Sequence, residues 1–159
     1  KPNSKLSLPK EYYAIKNYNY LSFKKDIIKE DNYRIPLDKY NNINGFIIKQ
    51  VDNIDTNGNN VCRLNSNNLN MPLYIRNRID GDYIEVLELN HKKKIKDIFI
   101  NSKIPLNKRN GYPLLVDSND NILWIPNIKK SKYNVKKDEF CDIILTSYEE
   151  REETNEKKS

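Results

Sequence analysis

Seven cationic side chains crowd the stretch from residue 91 to residue 109: Lys92, Lys93, Lys94, Lys96, Lys103, Lys108 and Arg109, against one carboxylate, Asp97. This local excess of six equals the net charge of the whole 159-residue chain. Shortly before it, Arg76 and Arg78 alternate in a short run with Tyr74 beside them. Such groups suit one kind of chemistry. Guanidinium groups bind phosphates bidentately, ammonium groups add screened attraction and aromatic rings stack on bases, so the set describes a surface that tracks a nucleic acid. The competing reading is a solvated helix face. Asn, Lys and Ile are over-used together, as an AT-rich genome produces, so lysine counts carry little weight. Arginine runs against that bias, and three of its six positions, Arg76, Arg78 and Arg109, fall between residues 76 and 109, which favours nucleic acid.

Other chemistries lack their parts. An ATP-using site needs a backbone cradle for phosphates, usually built from closely spaced glycines. The four glycines, Gly45, Gly58, Gly81 and Gly111, stand more than ten residues apart, which excludes nucleotide loops of the Walker and dinucleotide types. His91 has no acid or nucleophile beside it in sequence and reads as a loop residue ahead of a helix. Cys62 and Cys141 are far apart, without zinc-ligand spacing, and read as two reduced, buried thiols. No catalytic residue, metal site or cofactor is expected. Apolar runs such as Ile122 to Pro126 are far shorter than the roughly 20 residues of a membrane span. The chain begins at Lys1, which suggests a fragment or processed product.

The elements that must position the cations follow from periodicity. Leu73 to Ile79 alternates like a strand, with Leu73, Ile75 and Ile79 on one face and Tyr74, Arg76 and Arg78 on the other. Asp80-Gly81 then predicts a tight turn, after which Tyr83 to Leu89 should return antiparallel and leave both arginines on one side of a hairpin. Ile95, Ile98 and Phe99 repeat at i, i+3 and i+4, predicting a helix over 94–102, with Lys92, Lys96 and Lys103 on another stripe. Pro105 opens a second short helix to about Asn110.

Leu114 to Val116 and Ile122 to Ile125, joined by Ser118 to Asn121, predict a buried hairpin that takes Trp124 into the core. Phe46 to Val51 and Phe140 to Thr146 read as further strands, as do Tyr12 to Tyr18 and Tyr20 to Lys24. Asn57-Gly58 suits a turn with positive φ. The fold class is α+β, a mostly antiparallel β domain with one or two short helices. Its expected organisation is a β-rich segment over 1–70, the module proper over 71–147 and a disordered charged tail over 148–159.

Four segments are familiar in this order. Arg76 to Asp82 (RNRIDGD) resembles the R-x-R-x-x-G-D element of the C-terminal domain of tRNA(Ile)-lysidine synthetases. Lys93 to Pro105 (KKIKDIFINSKIP) is similar to that family's lysine-rich helix. Arg109 to Asp117 (RNGYPLLVD) and Ile122 to Pro126 (ILWIP) resemble the two strands that follow it. Asn127 stands where the family usually has Gly, and Asn101 where Asp is common.

The resemblance implies a non-catalytic tRNA-binding part of an ATP-dependent ligase that converts the wobble cytidine of CAU-anticodon isoleucine tRNA to lysidine. ATP and lysine are then substrates of the full-length enzyme, and this part alone is inactive because the S-G-G-x-D-S loop of the N-terminal catalytic domain is absent. Its implied partners are the isoleucine tRNA, gripped at the acceptor stem, and its own catalytic domain. No membrane partner is expected, a homodimer is left open, and the expected location is the cytoplasm or an organelle of bacterial descent. Arg76 and Arg78 are expected to clamp phosphates, Lys92, Lys93, Lys94, Lys96 and Lys103 to add attraction, and Lys108 and Arg109 to contribute at the margin. The alternative is a protein-interaction module whose basic face docks on the catalytic domain or a partner subunit.

Overall fold

The structure, a computed structural model, describes residues 31–86 and 91–150. The strands expected at Tyr12 to Tyr18 and Tyr20 to Lys24, and most of the charged tail, lie outside the described residues. Two antiparallel sheets dominate. The first has five strands in the order β1 (Arg34–Pro36), β5 (Tyr74–Arg76), β8 (Leu114–Val116), β9 (Ile122–Ile125) and β10 (Lys129–Lys130). The second has four, in the order β2 (Tyr40–Ile43), β3 (Phe46–Gln50), β11 (Ile143–Glu149) and β4 (Val61–Leu64). A two-stranded ribbon, β6 (Tyr83–Glu85) with β7 (Lys92–Lys94), leads into α1 (Ile95–Asn101) and the single-turn α2 (Leu106–Arg109). The fold is α+β and mostly antiparallel.

Local sequence accounts for much of this. β8 and β9 are buried at every position, and the chain reverses between them on Asp117, whose carboxylate accepts the N–H groups of Asn119 and Asn121 at 3.0 and 2.9 Å. Asp120, with φ of 64°, completes the reversal. Trp124 is fully buried and its indole N–H donates to the Asn59 carbonyl at 2.9 Å, so the ring fills the core while its one polar atom stays satisfied. Ile95, Ile98 and Phe99 turn the inner stripe of α1 into the same core, where Phe99 meets Tyr112 at 5.1 Å between ring centroids.

Three expectations need correction. Both sheets draw strands from each side of residue 70, and the described residues from Asn32 onward cluster as one unit, so a boundary there does not divide the fold. β11 begins at Ile143 and runs through Glu149, two residues into the segment read as tail, because pairing with β3 extends to the Glu149–Phe46 register. The turn at Gly58 forms without positive φ; among described glycines only Gly45 and Gly81 adopt it. Cys62 is buried, and its burial pushes the thiol pKa up, whereas Cys141 is only partly covered.

Candidate nucleic-acid interface

The expected hairpin between the arginine strand and the segment after Asp80-Gly81 does not form. Both edges of β5 are already taken, by β1 at Arg34–Arg76 and by β8 at Arg76–Leu114, so β6 pairs instead with β7. Gly81, with φ of 90°, supports the turn that carries the chain away.

Arg76 is consequently not a surface group. It is 5% exposed, and its guanidinium donates to both carboxylate oxygens of Asp82 at 2.8 and 3.0 Å, to Asp120 at 3.1 Å and to the Asn77 carbonyl at 3.0 Å. Burial alone would lower the Arg76 pKa; the two carboxylates outweigh it and raise it. With its donors committed inside the protein, Arg76 has no fork to offer a phosphate, which overturns its expected role as a clamp. Asp82 also accepts the Ile79 N–H at 2.8 Å, and its carbonyl accepts the Ile95 N–H at 3.0 Å, the first backbone donor of α1. Since Lys94 at the helix start supplies no side-chain cap, Asp82 anchors α1 in its place.

Asn77 and Arg78 extend this knot. The Asn77 amide donates to the Asn110 carbonyl at 2.8 Å and accepts the Tyr33 N–H at 2.9 Å. Arg78 is half-buried, donates to the Asn110 side-chain oxygen at 3.1 and 3.3 Å and lies 5.9 Å from the centre of the Phe99 ring. It keeps partial access to solvent, unlike Arg76. Arg109 donates to the Ile104 carbonyl at 2.8 Å, and Lys108 faces Glu149 at 3.7 Å.

The lysines behave differently. Across the ribbon Tyr83 faces Lys94, Ile84 faces Lys93 and Glu85 faces Lys92. Directly opposed residues share a face and adjacent ones along a strand do not, so Tyr83, Glu85, Lys92 and Lys94 project together while Ile84 goes to the core. Glu85 is drawn off by Lys132 at 3.1 Å, a pairing that also raises the Lys132 pKa. Lys92, Lys94 and Lys96 are exposed, Lys93 is half-exposed, and none of the four forms an ion pair among the described residues.

The expected stripe of Lys92, Lys96 and Lys103 is not a helical one. Lys92 sits in β7, and Lys103 lies past the C-terminus of α1 in a left-handed conformation, φ 56°, so only Lys96 belongs to the helix. Sequence reasoning missed Tyr83 and Arg34. Tyr83 is 46% exposed beneath the Lys92 ammonium at 4.5 Å, and the Arg34 guanidinium stacks 3.9 Å from the Tyr74 ring. The alternation around Ile84 held the signal for Tyr83.

Residues 73–143 match the family model described as the TilS substrate C-terminal domain. The chain belongs to the tRNA(Ile)-lysidine synthase family and carries its C-terminal domain. The bifunctional protein TilS/HprT of Listeria innocua is 36% identical over 142 residues, covering 84% of this chain and 22% of that protein. The tRNA(Ile)-lysidine synthase of Bacillus cereus is 31% identical over 160 residues, 93% of this chain and 33% of that one. The chain thus spans between a fifth and a third of the length of these relatives. A crystal structure of a TilS C-terminal domain superposes with a TM-score of 0.69 at 25% identity, covering 77% of this chain and all of the other. Within the TilS C-terminal domain, the R-x-R-x-x-G-D element at Arg76 to Asp82 is therefore an internal brace that sets the ribbon and α1. Exposed Lys92, Lys94 and Lys96 stand on the ribbon and helix that it sets.

Proposed function

We propose that the domain binds tRNA through the outer face of β7 and the start of α1, serving the ATP-dependent ligation of lysine to the wobble cytidine of CAU-anticodon isoleucine tRNA. The ligation belongs to a catalytic region outside this chain, with ATP and lysine as its substrates, and the domain holds the acceptor stem for it. The observation that carries the reading is that Lys92, Lys94 and Lys96 stand exposed on consecutive elements with no carboxylate paired to them among the described residues. Partly exposed Arg78, 5.9 Å from the Phe99 ring of α1, adds a guanidinium. A-form RNA has a deep, narrow major groove that side chains enter poorly, so the domain touches chiefly phosphates and 2′-hydroxyls.

The test is fluorescence anisotropy of the 159-residue chain with unmodified CAU isoleucine tRNA and with methionine tRNA at two salt concentrations, beside a Lys94→Glu/Lys96→Glu variant. Both positions are exposed, so the variant keeps its melting temperature. Tighter binding to the isoleucine tRNA, weakened by salt and by the variant, is the expected result. The salt slope should shrink by about one for each phosphate that the variant no longer neutralises. Weak binding to both tRNAs, unchanged in the variant, would assign these lysines to docking on the catalytic region instead.

A further inference from the structure

We infer that the outer face of the β6–β7 ribbon receives one unpaired nucleotide of the bound RNA, its base stacked on Tyr83 and its phosphates held by Lys92 and Lys94. This deepens the RNA-binding reading above and rests on it. Tyr83 is 46% exposed in a domain that buries Phe99 and Trp124 completely, and its hydroxyl makes no hydrogen bond to any described residue. Tyr40, Phe140 and Tyr148 are exposed as well, so it is the pair of lysines flanking Tyr83 that singles this ring out. The ribbon register places Lys94 directly opposite it and puts the Lys92 ammonium 4.5 Å from its centre. An aromatic ring flanked by two cations is the combination that binds single-stranded nucleic acid, with ammonium groups following the backbone while the ring takes a base of any sequence.

Beside the ring lies a hollow of about 170 Å³, walled by Tyr83, Tyr133, Asn119 and Asn121 with Asp82, Glu85 and Asp120 around them. Each of these carboxylates has a cationic partner, Asp82 in Arg76, Asp120 in Arg76 and Arg34, and Glu85 in Lys132, so the three negative charges are balanced and the hollow does not repel an anionic strand. The exposed Asn119 side chain makes no hydrogen bond to any described residue. An amide carries both a donor and an acceptor, which matches the edge of a base lying against two tyrosines. The walls accept one flat heterocycle; a paired base inside a stem cannot present its face there, which restricts the ligand to an unpaired nucleotide adjoining the stem.

The test measures the 159-residue chain against an RNA hairpin with a blunt end and against the same hairpin with a single-stranded 3′ overhang carrying 2-aminopurine. The overhang should tighten binding at least about fivefold, the lower end of what one stacked base contributes, and should quench the 2-aminopurine. Tyr83→Ala should erase the quenching and the difference in affinity between the two hairpins, and Tyr83→Trp should preserve both. Equal affinity for the two hairpins, or an equal loss on both in Tyr83→Ala, would overturn the inference and leave the basic surface intact. Failure of the parent chain to bind either RNA would overturn the RNA-binding reading with it.

Discussion

Replacing Arg76 by alanine should unfold the interface rather than unhook the RNA. The substitution leaves the Asp82 carboxylate, whose side chain is 10% exposed, without its bidentate partner, and removes one of the two arginines beside the half-exposed Asp120. Breaking a buried ion pair by removing one partner costs about 3–5 kcal/mol. Asp82 retains the Ile79 N–H, which places the cost near the lower end, about 3 kcal/mol. At roughly 4 °C per kcal/mol for a domain of this size, the melting temperature should drop by about 12 °C. Arg76→Lys keeps the charge but loses the planar fork and should fall between. Calorimetry of Arg76→Ala, Asp82→Ala and the double variant forms the assay. The double variant should be less destabilised than the sum of the singles, since removing both partners leaves no unpaired buried charge. Were Arg76→Ala to keep the parent melting temperature while losing RNA affinity, the argument that its donors are spent inside the protein would be refuted.

Two further outcomes follow from buried groups. Burial acts to raise the pKa of the Asp117 carboxyl, but hydrogen bonds from Asn121, Asn70 and Asn119 outweigh it and hold it below its ordinary value. Its contribution to stability is then fully present above the unfolded-state value of about 3.9 and is lost as pH falls through the folded-state value. Denaturant melts should show Asp117→Asn less stable than the parent at pH 6, with the gap closing progressively below about pH 4; a gap independent of pH would contradict this. Cys62 is fully buried with its thiol pKa raised, whereas Cys141 is partly exposed, so a thiol reagent at pH 8 should label Cys141 in the native protein and reach Cys62 only on unfolding.

The elements legible in the sequence are those whose signal is local. Ile95, Ile98 and Phe99 carry the helical period within five residues, and Pro105 sets the start of α2 by its fixed φ. Leu114 to Val116 and Ile122 to Ile125 read as one buried hairpin because both runs are apolar throughout and a polar turn joins them. The basic run at 92–96 is equally plain, and its lysines do lie at the surface. Sequence and structure part where a residue's surroundings come from distant parts of the chain. Alternation within Leu73 to Ile79 assigns Arg76 to an open face, since nothing local reveals that Asp82 and Asp120 converge on it from a turn six residues away and from the β8–β9 reversal.

Charge pattern cannot distinguish an arginine that waits for a phosphate from one that has already found its carboxylates. Arg63 makes the same point: it is 2% exposed and donates to Asn57 and to the carbonyls of Ile54 and Thr56, so rarity of arginine marks structural pins as readily as binding groups. By itself the sequence determined the apolar stripes, the turn residues and the inventory of cations, because these depend on neighbours within a few positions. Tertiary structure alone decided which cations remain free and that Tyr83 stands among them. Strand pairing fixes those faces, and it depends on which edges other strands have already occupied.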